Sequence, residues 1–533
     1  MTIRTKQRGI SRRLWRLMTF VLLVGLIAST VKVHASARIL TVQMPATWQP
    51  YLQPVLAQLA TDSTAWQIQP LDEATGQPNY VIRAGMSAAA NGCRFRYVIP
   101  AAVVAVDSDI ADVSDGFAEA SLVSDEVQAL APNAVPNASA VTMTHDEVLQ
   151  AVLADKTKIG VVRWQTGGVW PHGIRPLRLN GAFPGETESV QEFASVMIAR
   201  VTSDEDTQRL CAALEAWSAA PIQIAATGDI MLGRTIDTLA VNNNNPDYPF
   251  EKIAPLLASA DLRIGNLECV ISELGTAQYK AYAFRVGYWG IEALKNANFD
   301  LLTMGNNHAL DFGPAAMLDT RERLNAAGIP TVGAGKNEAQ ARSPVILERN
   351  GLRIAFLGYA NTPRERYGFD PSTTRATADS AGVAWGEPDM IAADVRAAKA
   401  QADLVVVMLH SGLEWRIEPN DMQRALAKAA IEAGAVAVIG AHPHVMQGIE
   451  YTDQELPGVI AYSLGNFVFE ANDNGQAFLR LWVAAGGVRA YAWEPYRVTL
   501  SGRPIPANKI ETHLILEGMN SMTKTLNDQR QIE

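Results

Sequence analysis

The 533-residue chain lacks a hydrophobic run that would span a membrane comfortably. Residues 17–31 come nearest, and they fall short of the roughly 20 apolar residues that a spanning helix needs, which disfavours a polytopic membrane protein. Three cysteines are too few for a disulfide framework. Nucleic acid is not expected as a partner, because 45 basic residues are outnumbered by 55 acidic ones and phosphate binding depends on Lys and Arg. The 48% hydrophobic content is ordinary for a globular protein of more than one domain.

Acidic residues are also missing from the amino terminus, where the first is Asp62. Several Arg and Lys residues precede the apolar run 17–31, and Val33 and Ala35 stand at the minus-three and minus-one positions of a cut before Ser36. This layout is typical of an export signal. We therefore predict that residues 1–35 are a signal peptide or, as the alternative, an uncleaved signal anchor that forms a single N-terminal membrane attachment. Both alternatives place the folded part outside the cytoplasm, either secreted or attached to the cytoplasmic membrane.

Residues 38–220 contain few sharp motifs, and they are predicted to form a smaller α/β accessory domain. Strands are expected over 38–43 and 159–163. A helix is expected over 144–156, opened by Thr144 and Glu147 in the spacing of a capping box.

Three further features of this region leave their roles open. The segment 159–184 faintly resembles the substrate-binding lobes of bacterial transporters, and an accessory domain without a ligand of its own is the alternative. Residues 129–140, rich in Ala, Pro and Asn, predict a surface loop. Cys93 and Cys211 could pair outside the cytoplasm, which the sequence does not decide.

From Pro221 onward, short apolar runs repeatedly end in loops rich in Gly, Asn or His. These runs are 222–226, 261–264, 300–303, 404–409, 435–439 and 459–461. Helices are expected between several of them, one beginning at Gly313-Pro314 and one over 421–433 with Asn420 as its cap and Met422, Leu426, Ala429 and Ala433 at helical spacing. Strands separated by helices predict a layered α/β architecture, in which the polar loops meet at one edge.

Histidine is scarce, with eight in the whole chain, yet four of these lie in the strand-end loops: His308, His410, His442 and His444. Asp229, Glu268 and Asn307 occupy the same kind of position. Singly, each residue is as readily a loop or capping residue. Together they predict a mixed nitrogen and oxygen ligand set for two divalent ions such as Mn, Zn or Fe, with a carboxylate able to bridge them.

Other residues near these loops are expected to pack in the core. Strand alternation turns Cys269 away from its neighbour Glu268, so Cys269 is predicted to be a small core residue rather than a ligand. Met231, Met304 and Met408 are likewise expected in the core.

Five motifs follow one another in the carboxyl-terminal half: Gly228-Asp229-Ile230-Met231-Leu232-Gly233-Arg234, Gly265-Asn266-Leu267-Glu268, Asn306-Asn307-His308 followed by Asp311, Gly440-Ala441-His442-Pro443-His444, and Tyr462-Ser463-Leu464-Gly465-Asn466-Phe467. This series resembles the bacterial capsule synthesis protein CapA family, associated with poly-γ-glutamate, within the calcineurin-like metallophosphatase superfamily. The resemblance covers about residues 221–500 and leaves 501–533 as a C-terminal extension. It implies a four-layer α/β/β/α sandwich with a dinuclear metal centre.

The resemblance also implies roles for single residues. Asp229 and His444 would hold one metal ion, and Asn307, His410 and His442 the other. Glu268 would bridge the two ions. His308 would be the catalytic histidine beside them, and Asp229 and Glu268 would complete the catalytic set. Arg285 matches a family position and could bind an anionic substrate group, the alternative being a structural arginine.

Two positions depart from the pattern of the superfamily. Met231 stands where a histidine ligand of the first ion is usual, a lack that the CapA-like pattern shares. Ser411 stands where the family usually has Trp after its His, which enlarges one wall of the site and leaves Trp415 to refill it in part.

The leading hypothesis is therefore an exported CapA-like protein that acts in capsule or poly-γ-glutamate-type polymer biosynthesis. Its hydrolytic mechanism would use a metal-activated hydroxide as nucleophile and His308 as proton donor, on a phosphoester or an amide bond. The expected partners are an anionic polymer or small-molecule substrate and the envelope machinery of polymer synthesis. The alternative is a noncatalytic assembly, export or binding factor on the same scaffold.

Overall fold

The structure is a computed structural model. It describes residues 38–44, 46–60, 64–70, 78, 80–84, 93–98, 100–105, 112–113, 122–130, 140–155, 157–164, 174–179, 183–184, 192–198, 204–218, 220–452, 458–470 and 474–530. The predicted export signal and residues 131–139 of the predicted loop lie outside these ranges. Within them, no helix combines the length and apolarity that a membrane crossing requires.

The chain divides into two compact units. The first contains the described residues up to Phe95 and those of 194–214, and the second contains 96–193 and the chain from Glu215 onward. Residues 96–193 therefore group with the carboxyl-terminal part, whereas the sequence analysis placed all of 38–220 in one domain. The boundary at Pro221 predicts that the chain from that residue onward folds by itself. This stays a prediction.

The first unit is built on a five-stranded sheet. Its strands are β1 (Arg38–Met44), β2 (Thr64–Pro70), β3 (Tyr80–Ala84), β4 (Arg94–Val98) and β12 (Glu192–Ile198), in the order β2-β1-β3-β12-β4. Its helices are α1 (Gln49–Gln58) and α4 (Asp204–Ser218), and β4, β12 and α4 each extend a few residues past the limits of the unit. Strand β1 confirms the predicted strand over 38–43. A disulfide joins Cys93 to Cys211, the pairing that the sequence left open.

In the second unit, residues 96–193 form another five-stranded sheet. Its strands are β5 (Pro100–Ala105), β7 (Leu122–Ser124), β8 (Val141–Met143), β9 (Gly160–Arg163) and β10 (Ile174–Pro176), in the order β10-β5-β9-β7-β8, and β6 (Asp112–Val113) pairs with β11 (Arg178–Leu179). Two helices accompany it, α2 (Asp125–Leu130) and α3 (His145–Ala154). Both hydrogen bonds of the predicted capping box are present at Thr144, and β9 confirms the predicted strand over 159–163.

The larger of two further sheets has eight strands. These are β13 (Ile222–Ile230), β14 (Leu262–Leu267), β17 (Leu301–Thr303), β18 (Thr331–Val332), β27 (Asn466–Val468), β28 (Asn474–Ala484), β29 (Gly487–Val498) and β30 (Pro504–Pro506). Their order is β18-β17-β14-β13-β28-β29-β30, with β27 paired to β13. The strands β13, β14, β17 and β18 are parallel, and β28 runs antiparallel to β13.

The other sheet has six strands. These are β20 (Val345–Arg349), β21 (Leu352–Asn361), β23 (Leu404–Ser411), β24 (Ala437–Ala441), β25 (Ile449–Tyr451) and β26 (Val459–Ala461), in the order β20-β21-β23-β24-β26-β25. Two ribbons lie apart, β15 (Val270–Ile271) with β16 (Arg285–Val286) and β19 (Ala334–Gly335) with β22 (Gly382–Val383). All six predicted apolar runs are strands, three in each of the two sheets.

The two sheets share one buried cluster, which includes Ile224 and Ile264 from the larger sheet and Phe356 and Val406 from the other. Their neighbours in sequence point to the opposite faces and pack in separate clusters with helices. The helices of this region are α5 (Arg234–Asn242), α6 (Ala254–Ala258), α7 (Trp289–Asn296), α8 (Gly313–Ala326), α9 (Glu338–Ala341), α10 (Pro388–Lys399), α11 (Asp421–Glu432) and α12 (Lys509–Arg530). The predicted mixed and layered α/β architecture is confirmed at this level.

Helices α8 and α11 begin where the sequence predicts, at Gly313 and after the Asn420 cap. The predicted apolar face of α11 is correct at Leu426, which is buried, and wrong at Met422, which is 45% exposed. Gln423 faces inward instead, since its Nε2 donates to Gln447 Oε1 and to the Tyr462 carbonyl. The buried face of α11 therefore contains Gln423, Ala427 and Ala430 beside Leu426, each one position from the residues expected there.

Residues beyond 500, predicted as an extension, contribute β30 and the helix α12 to the second unit. Met519 and Leu526 of this helix are buried. The Ile449 amide donates to Thr523 Oγ1, and Asn527 Nδ2 donates to the Ile449 carbonyl. Helix α12 is therefore fastened to the edge strand β25.

Candidate metal centre

The candidate ligands stand at the carboxyl ends of strands from both sheets of the second unit. Asp229 lies near the end of β13, and Glu268 directly follows β14. His410 lies near the end of β23, while the loops after β17 and β24 carry the other candidates. The edge at which the polar loops meet is thus made by two facing sheets.

Local backbone geometry brings the strand ends close together. A side chain at Gly228 would meet the Gly465 carbonyl oxygen at 2.0 Å, and the Asp229 amide donates to that same oxygen. His442 and His444 have φ angles of 98° and 59°, which non-glycine residues seldom adopt. Such backbone strain is common at functional sites, where the surrounding structure maintains it.

The first group of candidate ligands consists of Asp229, Glu268 and His444, all buried, with one ligand atom of each within 4.8 Å of the others. His444 Nδ1 lies 3.2 Å from Asp229 Oδ2, and His444 Nε2 lies 4.0 Å from Glu268 Oε1. The structure thus brings together the residues expected to hold one ion.

The second group consists of Glu268, His410 and His442. The Nε2 atom of His410 lies 2.9 Å from Asn307 Oδ1, 3.2 Å from His442 Nδ1 and 3.5 Å from Glu268 Oε1. Glu268 is therefore common to both groups, as a bridging ligand must be.

Glu268 provides the test of whether this pocket suits cations. Its side chain is fully buried, and among the described residues neither carboxylate oxygen has a hydrogen-bond partner. Burial, and then the negative charge of Asp229, raise the pKa of Glu268 well above its usual value. A buried carboxylate without donors is costly unless a cation neutralises it. The residues present therefore fit divalent cations that Glu268 shares.

The histidines differ in charge preference. Burial, followed by the neighbouring histidines, lowers the pKa of His410 and of His442 well below the usual value, which favours the neutral form that binds metals. Burial also opposes the charged form of His444, but its hydrogen bond to Asp229 and the charge of Asp229 outweigh that effect and raise its pKa.

His308 lies beside the two groups and belongs to neither. Its Nδ1 lies 2.8 Å from Asp311 Oδ2, and its ring stacks on Phe284 with 4.3 Å between centroids. Its Nε2 lies 3.9 Å from Glu268 Oε1. Burial lowers the pKa of His308, an effect that the Asp311 charge opposes. A ring held at Nδ1 in this way presents Nε2 for proton transfer.

Two asparagines orient the ligands and were not predicted as site residues. Asn266 Nδ2 lies 2.8 Å from Asp229 Oδ1 and 3.1 Å from His410 Nδ1. Asn466 Oδ1 lies 2.9 Å from His444 Nδ1. Both asparagines lie inside motifs described above. Membership of those motifs was the feature of the sequence that could have identified them as site residues. Partners of this kind fix ring orientation in metal sites.

A cavity of about 370 Å³ opens beside the two groups. Asn307, His308, His442 and His444 line it, and its other lining residues are Ala281 and Pro363, the aromatic Tyr282, Phe284, Trp415 and Phe469, the acidic Glu365, Glu414 and Glu470, and the basic Arg234 and Arg364. A substrate in this cavity would contact both the candidate ligands and His308.

Arg285, the predicted substrate-binding arginine, does not line this cavity. Its Nη2 donates to the carbonyls of Leu274 and Gly275, and its guanidinium lies 3.6 Å from the centre of the Phe312 ring. Its role in substrate binding stays a prediction. Arg234 does line the cavity, with its guanidinium near the Tyr282 and Phe284 rings, and its place at the end of the first motif was the signal for it.

The two departures from the superfamily pattern are visible in the structure. Met231 is fully buried in the apolar core, as predicted, so its position offers no ligand. Trp415 lines the cavity with its ring 5.7 Å from that of His444, and its filling of the space near Ser411 stays a prediction. Cys269, Met304 and Met408 are also buried as predicted, and Cys269 belongs to neither ligand group.

Comparison with known proteins gives matches to the same part of the chain. Residues 223–471 match the family described as bacterial capsule synthesis protein PGA_cap. "Capsule biosynthesis protein CapA" of Bacillus anthracis is 34% identical over 257 residues, covering 47% of this chain and 60% of that protein. "PGA biosynthesis protein CapA" of Bacillus subtilis (strain 168) is 33% identical over 246 residues, covering 46% and 62%. The match thus spans about 60% of the length of these relatives.

A hypothetical protein from Thermus thermophilus is among the solved structures that resemble this one. It is 15% identical, covering 52% of this chain and 99% of its own, with a TM-score of 0.35, which is too low to support an argument.

Proposed function

We propose, from the match of residues 223–471 to the bacterial capsule synthesis protein family, that the protein is an exported, metal-dependent hydrolase of capsule or poly-γ-glutamate-type polymer biosynthesis. The proposal includes the four-layer α/β/β/α sandwich of the calcineurin-like metallophosphatases, to which the two facing sheets with helices on their outer faces correspond. The bond cleaved is a phosphoester or an amide.

One observation carries the proposal: Glu268 is buried between two ligand groups, and neither of its oxygens has a hydrogen-bond partner among the described residues. A buried carboxyl group in this state is stable when it is protonated or when cations neutralise it, and two ions shared by Glu268 would do the latter. Asp229 and His444 would hold one ion, while Asn307, His410 and His442 would hold the other. Manganese, zinc and iron all suit this mixed nitrogen and oxygen set. When bound, two such ions act as Lewis acids and activate water at neutral pH.

The chain itself supplies the proton chemistry and the binding. The Asp311 carboxylate lies at Nδ1 of His308 and would stabilise the imidazolium, whose Nε2–H would donate a proton to the leaving group. The apolar stack on Phe284 limits rotation of the His308 ring. Arg234 and Arg364 on the cavity wall, which lie in ion pairs with Glu470 and Asp370, would bind an anionic group of a polymer or small-molecule substrate. The envelope machinery of polymer synthesis is the proposed partner.

Export is supported by the Cys93–Cys211 disulfide, because disulfides persist mainly outside the reducing cytoplasm. Export also agrees with the amino-terminal pattern of charge and hydrophobicity, whether residues 1–35 are cleaved or kept as an anchor.

The experiment that tests the proposal combines elemental analysis of the purified full chain with hydrolysis assays. Phosphate esters of p-nitrophenol and γ-glutamyl-p-nitroanilide would be offered to protein loaded with Mn²⁺, Zn²⁺ or Fe²⁺. Two ions per chain and turnover of one substrate class, lost in Asp229→Asn and kept in Cys269→Ala, are the expected results. Cys269 is a matched control because it is buried next to Glu268 and lies outside both ligand groups.

The second candidate is a noncatalytic assembly, export or binding factor. The apolar core residue Met231, at the place of a usual ligand, favours it. Full ion content without turnover of either substrate class would support this candidate against the hydrolase.

A further inference from the structure

Lys280 carries a buried positive charge beside the candidate metal centre, although no motif of the sequence contains it. Its side chain has no exposed surface. The ammonium lies 2.9 Å from the Asn307 backbone carbonyl, 2.9 Å from Asp311 Oδ1 and 3.1 Å from Glu365 Oε1. The ammonium thus donates to Asn307 and Asp311 and forms an ion pair with Glu365.

Glu365 connects this lysine to a candidate metal ligand. Its Oε1 also accepts a hydrogen bond of 2.9 Å from Nδ2 of Asn307. Asn307 is therefore held twice, at its backbone carbonyl by Lys280 and at its side-chain amide by Glu365. The remaining polar atom, Oδ1, lies 2.9 Å from His410 Nε2 in the second ligand group.

The direction of this amide decides whether Asn307 can bind a cation. An asparagine side chain accepts through its oxygen, whereas its NH₂ group only donates. If the amide turned over, the NH₂ group would face the second ligand group and repel a cation there. The bond from Nδ2 to Glu365 prevents this, and it requires that Glu365 stay in place.

We propose that Lys280 is a positioning residue of the metal centre, which keeps the Asn307 side-chain oxygen directed at the second ligand group by holding Glu365 and the Asn307 backbone. This inference rests on one part of the proposed function, which is that a metal ion binds at the second ligand group.

Electrostatics explains why a cation is needed at this point. Lys280 lies between the carboxylates of Asp311 and Glu365, pairs with both and offsets part of their negative charge. Without it, two carboxylates would face each other with little water to screen them. Glu365 has 11% of its side chain exposed, whereas Asp311 has none, so Glu365 is the one able to turn toward solvent and release the Asn307 amide.

The test is a titration of the metal-free full chain with Mn²⁺, which measures the dissociation constant of each ion. Lys280→Met should weaken the affinity for the ion at the second ligand group by about 10–100-fold, which is the usual cost of losing a residue that orients a ligand. The affinity for the ion at the first ligand group should change much less. Arg480→Met is the matched control. Arg480 is 1% exposed and paired with Glu494, and it does not line the cavity, so its loss should lower stability while both constants stay at wild-type values.

A double-mutant cycle separates positioning from general damage. If Lys280 acts through Asn307, then Lys280→Met should cause no further loss of affinity in an Asn307→Ala background. The visible absorption of bound Co²⁺ should change in the same way in Lys280→Met and in Asn307→Ala, because each removes the same oxygen from the ion. If Lys280→Met does not fold, Glu365→Ala should weaken the second ion, and Glu365→Gln, which keeps an acceptor for the Asn307 amide, should weaken it less.

Wild-type affinity for both ions in Lys280→Met, or in Glu365→Ala, would overturn the inference. So would additive losses in the cycle. Failure of the hydrolase proposal is a separate result: wild-type protein that binds two ions and hydrolyses nothing overturns the hydrolase and leaves the inference standing. Wild-type protein that binds no Mn²⁺ overturns both.

Discussion

His308 and Asp311 form a hydrogen bond of 2.8 Å between Nδ1 and Oδ2, in a pocket where both side chains are almost wholly buried. The same carboxylate oxygen accepts a bond of 2.6 Å from the Phe284 amide. Asp311 therefore cannot turn away from the ring without losing two donors. The imidazole that the proposal uses as a proton donor is thus held by a carboxylate that is itself fixed.

Asp311→Asn should lower the rate of hydrolysis about 10²–10⁴-fold, toward that of His308→Ala, because the ring loses the anionic acceptor that fixes its orientation. Asparagine keeps a carbonyl oxygen for Lys280, so the metal content should stay at the wild-type value. The measurement is kcat together with elemental analysis of the same sample. A wild-type kcat in Asp311→Asn would show that His308 does not act as a proton donor whose orientation depends on Asp311.

Glu268→Gln should lower occupancy of both metal positions, because Glu268 belongs to both ligand groups. Loss of its charge would also leave two neighbouring cations with less neutralising charge between them. His444→Ala, which affects one group only, should retain one ion per chain. Ion content at matched free metal is the measurement, with Cys269→Ala as the control. Two ions per chain in Glu268→Gln would contradict the bridging role.

Arg234→Ala should weaken inhibition by inorganic phosphate about ten-fold or more, since a hydrogen bond to a charged group contributes about 1.5–3 kcal/mol. Arg285→Ala should leave the inhibition constant unchanged and lower the melting temperature, because Arg285 contacts the Leu274 and Gly275 carbonyls and the Phe312 ring. The two inhibition constants and melting curves decide between the residues. The reverse result would restore Arg285 to the substrate-binding role predicted from the sequence.

Thiol titration should find no reactive thiol in the native chain, one after denaturation, and three after denaturation and reduction. Cys93 and Cys211 are joined, and burial raises the pKa of Cys269 from 9.0 to about 12. The folded state therefore keeps a proton that the unfolded state releases. Stability from this group is full below pH 9 and declines as the pH rises toward 12. Fast native labelling at pH 8 would contradict the burial of Cys269.

A fragment that begins at residue 219 should be less stable than the full chain. Trp482 of β28 packs against Trp164 and Phe183, with ring centroids 5.7 Å and 4.9 Å away, so the fragment would expose this apolar surface. Its melting temperature and its binding of a hydrophobic dye are the measurements. A fragment as stable as the full chain would support the predicted boundary at Pro221.

Local sequence was enough to predict the strands and the polar side chains at their ends. Short apolar runs such as 222–226 and 404–409 have the length and composition of buried strands, and a Gly- or His-containing loop after each one marks its end. The order of the motifs then associated Asp229, Glu268 and the four histidines with one site. The capping boxes at Thr144 and Asn420 are equally local, and both are present.

What only the tertiary structure decided is which side chains support the ligands. Lys280 meets Glu365 across 85 residues of chain, in segments with no periodic pattern, and Arg234 rather than Arg285 reaches the cavity wall. The inward turn of Gln423 and the packing of residues 96–193 with the carboxyl-terminal part are of the same kind. A strand or a cap is set by interactions within a few residues, which a sequence displays. The partner of a buried charge is set by the folding of the whole chain, which brings together groups that no local pattern relates.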